Sequence, residues 1–82
     1  MSGDLAYMDT FGGLLACQVM DAWRSNGEVW LSVKITTKRD TSYKRGDRYT
    51  ASARRIVPRK NVRRRKYGTT ILPYDWGKIL GI

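Results

Sequence analysis

The chain has 82 residues, 41% of them hydrophobic, and carries a formal net charge of +9. That suffices for one small domain over residues 1–82, which buries only about 60–65% of its unfolded surface. Zero histidines and one cysteine, Cys17, exclude a histidine base, an internal disulfide and a multi-thiolate zinc site, and no apolar run approaches the roughly 18–20 residues that span a bilayer.

The first predicted element is a strand over residues 14–22, with Leu15, Cys17 and Val19 on one parity and Gly12-Gly13 as a turn before it. Asn26-Gly27 then predicts a tight hairpin, because a turn that matches strand twist needs positive φ at its central residues. Its second arm, residues 29–36, alternates Val29, Leu31, Val33 and Ile35 with Trp30, Ser32, Lys34 and Thr36, the pattern of a half-buried strand. A long polar loop follows over residues 37–48. A third strand is expected over 49–53, continuing through Arg54-Arg55 into Ile56-Val57 and ending at Pro58, which has no amide hydrogen to donate. Residues 61–66 are read as a single helical turn, and residues 69–72 as a last strand closed by Pro73. The tail, 74–82, is apolar and interrupted by Gly77 and Gly81. It is expected either to pack over one end of a core spanning about residues 12–73 or to contact another chain.

Short strands, tight turns and few helix signals predict a mainly β fold, a small antiparallel five-stranded barrel with basic loops. The strand at 14–22, the Asn26-Gly27 hairpin, the strand at 29–35 and the closing Arg55-Ile56-Val57-Pro58-Arg59 together resemble the layout of the Src-homology-3-like barrels. Tudor-type and KOW-type modules and the DNA-binding C-terminal domain of retroviral integrases share that architecture. The resemblance covers roughly residues 12–60 and implies the fold; function has to come from the residues themselves.

Enzymatic chemistry finds little to work with. The seven carboxylates are scattered singly, so no pair suggests acid–base work or a metal clamp. Cys17 shares the inward parity of Leu15 and Val19 and reads as a small buried hydrophobe. No phosphate-binding Gly-rich loop is present. No enzyme activity, cofactor or metal is expected. Arg45-Gly46-Asp47 spells an adhesive tripeptide, but Gly46 beside Asp47 is explained by turn formation.

The distribution of charge is more informative than its total. Residues 34–66 carry fourteen Lys or Arg against Asp40 and Asp47, whereas the first 33 residues carry only Arg24 against four acids. A solvated basic face is the plain explanation; the alternative is a footprint for phosphate, which Arg meets with planar, bidentate contacts. The candidate nucleic-acid contacts form two clusters, Lys38, Arg39, Lys44, Arg45 and Arg48, then Arg54, Arg55, Arg59, Lys60, Arg63, Arg64, Arg65 and Lys66. Tyr43, Tyr49 and Tyr67 lie among them as candidates for stacking on bases or, alternatively, as residues that cover the core. No recognition helix, zinc finger or basic zipper is visible, so the contacts are expected to be independent of sequence, with DNA preferred over RNA.

The competing expectation is a protein-interaction module, such as an accessory protein or inhibitor of the kind found in phages and mobile elements, docking on an acidic protein. Trp30, Tyr74, Trp76, Ile79, Leu80 and Ile82 are its candidate interface, and the tail is a candidate for homodimer contact. No amphipathic helix accompanies the cations, so no membrane partner is expected. The opening Met-Ser-Gly-Asp-Leu lacks the pattern of a secretory leader, and the expected location is cytoplasmic, nucleoid-associated in a bacterium or phage and nuclear in a eukaryote.

Overall fold

Seven strands, two 3-10 turns and one short helix make up the computed structural model, which describes residues 4–37 and 43–82. Strands β1 (Asp4–Thr10), β2 (Gly13–Ser25), β3 (Glu28–Ile35), β4 (Arg48–Ser52) and β5 (Ile56–Pro58) form one antiparallel sheet in the order β4-β3-β2-β1-β5. The fold is mainly β, as the sequence predicts.

The Asn26-Gly27 hairpin forms as expected. Ser25 pairs with Glu28 across it, and Asn26 (φ 52°) and Gly27 (φ 78°) supply the two left-handed residues of a tight turn. β3 buries Leu31, Val33 and Ile35 on one face and turns Trp30, Ser32 and Lys34 to the other. β2 does the same with Leu15, Cys17 and Val19 up to a bulge between Val19 and Asp21. The extra residue there shifts the pleat, so that beyond it Ala22, on the opposite parity, packs against the core.

Three elements differ from the expectation. β1 lies ahead of the predicted core and contributes Ala6 and Met8 to it. The strand expected to run from 49 into 57 is broken by the 3-10 turn η1 (Ala53–Arg55), which starts where the Ser52 side chain accepts from the Arg54 amide. Its two parts, β4 and β5, become the opposite end strands of the sheet. Only three residues separate Ser52 from Ile56, which limits that gap to about 14 Å. The sheet is therefore curled, with its two ends drawn together at η1. The helical turn expected at 61–66 falls earlier, as η2 (Arg59–Asn61), and the arginine run enters strand β6 (Val62–Arg65), paired with β7 (Gly68–Ile71) as a separate two-stranded ribbon. Pro58 sits on an end strand, where its missing amide hydrogen is tolerated.

The tail closes one end of the core, the first of its two expected roles. Asp75 caps helix α1 (Trp76–Leu80) by accepting from the Gly77 and Lys78 amides, and Gly81 (φ 70°) ends it in the left-handed region. Trp76 is buried, and its indole Nε1 donates to the Ile56 carbonyl at 2.7 Å.

Cys17 is buried in the middle of this core, and desolvation pushes its thiol from 9.0 up to about 12. Below pH 9 both folded and unfolded chains hold that proton. Between pH 9 and about 12 the unfolded chain releases it first, so stability falls as pH rises, by up to about 1.4 kcal/mol per pH unit. Urea midpoints measured from pH 8 to 11 are expected to fall, and Cys17→Ala to flatten the fall; a wild-type slope unchanged in the variant would contradict this burial.

Candidate nucleic-acid interface

All eleven described members of the two basic clusters are exposed; Lys38 and Arg39 lie outside the described residues. Among the described residues one ion pair is made, Arg54 with Glu28 at 3.6 Å, with the arginine well exposed and the glutamate partly so. Such a pair is worth little and leaves Arg54 available to compete for phosphate. The remaining cations are not neutralised by carboxylates within ion-pair distance among the described residues.

The densest group sits on the β6–β7 ribbon. Cross-strand pairs Arg63–Thr70, Arg64–Thr69 and Arg65–Gly68 set the register, and strand alternation puts Arg63 and Arg65 on one face and Arg64 on the other. The Arg64 guanidinium stands 5.5 Å over the ring of Tyr7, a cation–π contact to the outer face of β1. At the base of the ribbon the Leu72 amide donates to the Asn61 carbonyl at 2.8 Å, and Asn61 Nδ2 donates to the Pro73 carbonyl at 2.9 Å. Arg63 Nη1 donates to the Lys60 carbonyl. The ribbon is thus clasped at its root, while its own residues from Arg63 to Leu72 stay exposed. Val57 is buried on the same outer face of the sheet, paired with Tyr7.

The other cations fall into smaller groups. Arg48 is paired with Lys34 on the outer face, next to Gln18. Lys44 and Arg45 flank the turn before β4, where the Gly46 amide donates to the Ile35 carbonyl, the Asp47 carboxylate accepts from the Lys44 amide and Arg45 Nε donates to the Thr36 carbonyl. Those bonds account for the Arg45-Gly46-Asp47 tripeptide as a turn. Arg55 reaches the Asp9 carbonyl from η1. Arg59 and Lys60 line a groove together with Asp4, Leu5, Trp76 and Ile79. The ribbon therefore concentrates four cations, and the rest are set along both ends of the curled sheet.

Two of the three stacking candidates take the alternative role of covering the core. Tyr43 and Tyr49 pack against the core and against each other, edge to face, with centroids 5.3 Å apart. Desolvation, followed by the charge of Asp47, pushes the Tyr49 hydroxyl up. Both rings are half-buried. Tyr67, at the ribbon tip, is 92% exposed.

The candidate protein interface is corrected. Trp76 is 2% exposed and belongs to the core. Tyr74 and Leu80 are half-buried against it, the Tyr74 hydroxyl donating to the Arg54 carbonyl at 3.2 Å. Ile79 and Ile82 keep partial exposure, and Arg24 Nη2 fixes the Ile82 carbonyl at 2.9 Å. Trp30 is half-buried on the outer face, opposite Trp23.

Sequence reasoning missed Lys34 as a neighbour of Arg48, and Tyr7 as the platform for Arg64. Residues 4–10 carry no clear apolar alternation that would have marked Tyr7, because Leu5 and Tyr7 face outward while Ala6 and Met8 face the core. Among the described residues no helix is long and apolar enough to cross a membrane, and no group of three or more His, Cys, Asp or Glu is placed to hold a metal. Comparison with protein-family models, with curated proteins and with solved structures finds no match.

Proposed function

We propose that this chain binds nucleic acid, DNA in the first place, through phosphate contacts that do not depend on base sequence. The observation that carries the reading is the exposed β6–β7 ribbon with Arg63, Arg64, Arg65 and Lys66 in sequence, none of them paired with a carboxylate among the described residues. A two-stranded ribbon is narrow enough to enter a DNA groove, and guanidinium groups on both its faces suit the two phosphate walls of one. The curled five-strand sheet serves as its scaffold. Arg48, Lys34, Arg59 and Lys60 extend the positive surface beyond the ribbon. No acid–base pair, nucleophile or metal clamp enters this reading, and the protein acts as a binder without catalysis.

Mobility-shift titrations with a duplex, a single strand and an RNA of matched length, at 50 and 200 mM salt, test it. Retention of unrelated duplexes with similar affinity is expected, with about 5–7 phosphates engaged and log K falling by about 0.9 per contact per log unit of salt. Salt-insensitive binding, or none at the lower salt, would overturn the proposal. The second reading, docking on an acidic protein, is favoured by the exposed edge of Trp23, 38% accessible opposite Trp30 on the outer face. Failure to retain any nucleic acid would move the conclusion there.

A further inference from the structure

Tyr67 is hard to explain by folding. Lys66 and Tyr67 are the two residues between the paired Arg65 and Gly68, a tight turn of the kind that favours Gly, Asn, Asp, Ser or Pro. A tyrosine there gains nothing from turn chemistry, and at 92% exposure it buries almost nothing. Among the described residues its one ring contact is the Lys66 ammonium, 5.6 Å from the centroid. Burying that ring elsewhere would recover apolar area, yet it is held at the far end of a ribbon whose root is clasped by Asn61 and whose flank is pinned by Arg64 on Tyr7. The ring is therefore presented in a fixed place, ahead of four cations in succession.

We infer that the ribbon tip is a binding site for an unpaired base in duplex DNA, with the Tyr67 ring as the stacking surface and Arg63, Arg65 and Lys66 on the flanking phosphates. The inference rests on the nucleic-acid reading above and narrows its ligand from DNA in general to duplex carrying a bulge or gap. An aromatic face stacks on any base, which agrees with the absence of a sequence-reading helix. In an intact duplex the bases are already stacked, and admitting the ring costs unstacking energy; at a bulge or gap that cost is largely absent. Phosphate contacts are the same on both, so the tip adds affinity only where a base is free. The exposed hydroxyls of Thr69 and Thr70, on the opposite strand of the ribbon, lie beside the arginines as further donors to the backbone.

Fluorescence anisotropy with a perfect duplex, and with the same duplex carrying a single unpaired 2-aminopurine, tests this on the wild type, Tyr67→Phe and Tyr67→Ala. The wild type is expected to prefer the bulged probe by between about fivefold and a hundredfold and to quench the 2-aminopurine. Tyr67→Phe should keep both effects. Tyr67→Ala should lose both while holding its affinity for the perfect duplex within about twofold; the residue touches no core side chain, and circular dichroism checks that the variant is folded. Equal wild-type affinity for the two probes, or a preference that survives Tyr67→Ala, overturns the tip site and leaves the general DNA-binding reading standing. Binding to neither probe at low salt overturns both.

Discussion

Replacing Arg63, Arg64 and Arg65 together by alanine is expected to lower affinity for duplex DNA about 500-fold at 0.1 M salt and to reduce the salt slope by about 2.7. Each guanidinium that neutralises a phosphate contributes about 0.9 to the slope of log K against log salt. Three lost contacts therefore remove about 2.7 decades over the tenfold range between 0.1 M and the 1 M reference at which this term vanishes. The loss should be about equal on unrelated sequences, because contacts to phosphate position a protein without reading bases. The three side chains are exposed, and their main partners are the Tyr7 ring and the Lys60 carbonyl, so the core has no reason to open. Circular dichroism and a thermal melt of the triple variant establish that. Unchanged affinity would remove the ribbon from the interface and shift attention to Arg48, Lys34, Arg59 and Lys60. A slope change near 1.8 would indicate two contacts, the result expected if Arg64 remains on Tyr7 in the complex.

The difference between what the sequence announces and what it conceals has a physical pattern here. Asn26-Gly27 and the alternation of Val29 through Ile35 are local signals, and both elements form as read. β1 gives the opposite impression: its inward positions hold the modest Ala6 and Met8, while Leu5 and Tyr7 face outward, where Tyr7 is claimed by Arg64. Apolar contrast between its faces is inverted, and periodicity has little to detect. Arg63-Arg64-Arg65 likewise carries no apolar alternation. It becomes a strand because Thr70, Thr69 and Gly68 pair with it across the ribbon, a pairing that outweighs local preference.

The candidate site follows the same division. That the cations are exposed and largely without carboxylate partners was legible from their number against seven acids. Their sorting into one ribbon and several smaller groups was not, since it depends on η1 sending β4 and β5 to opposite ends of the sheet. Nor could composition tell Tyr67 from Tyr43 and Tyr49. All three lie among cations, and only packing decides that two rings lean on the core and on each other while the third is left at a tip.

Trp76→Ala is expected to destabilise the fold by about 3–5 kcal/mol, the usual consequence of removing a buried large aromatic. A chain of this length has a total stability of order 4–12 kcal/mol, so the variant should be near the threshold of folding. The indole fills the open end of the curled sheet from helix α1 and satisfies its own Nε1 hydrogen on the Ile56 carbonyl, so both packing and a buried hydrogen bond are lost together. With about 4–8 °C per kcal/mol for a domain of this size, a fall in melting temperature of at least about 12 °C should be seen. Trp76→Phe separates the two contributions: it keeps most of the packing and deletes the bond, and a loss of about 1–3 kcal/mol is expected. This result bears directly on the role of the tail. If Trp76 served another chain, its removal would leave the melting temperature of the isolated protein within a few degrees of the wild type and abolish only partner capture. A large fall ties α1 to the core and leaves Ile79 and Ile82 as the part of the tail still open to a partner.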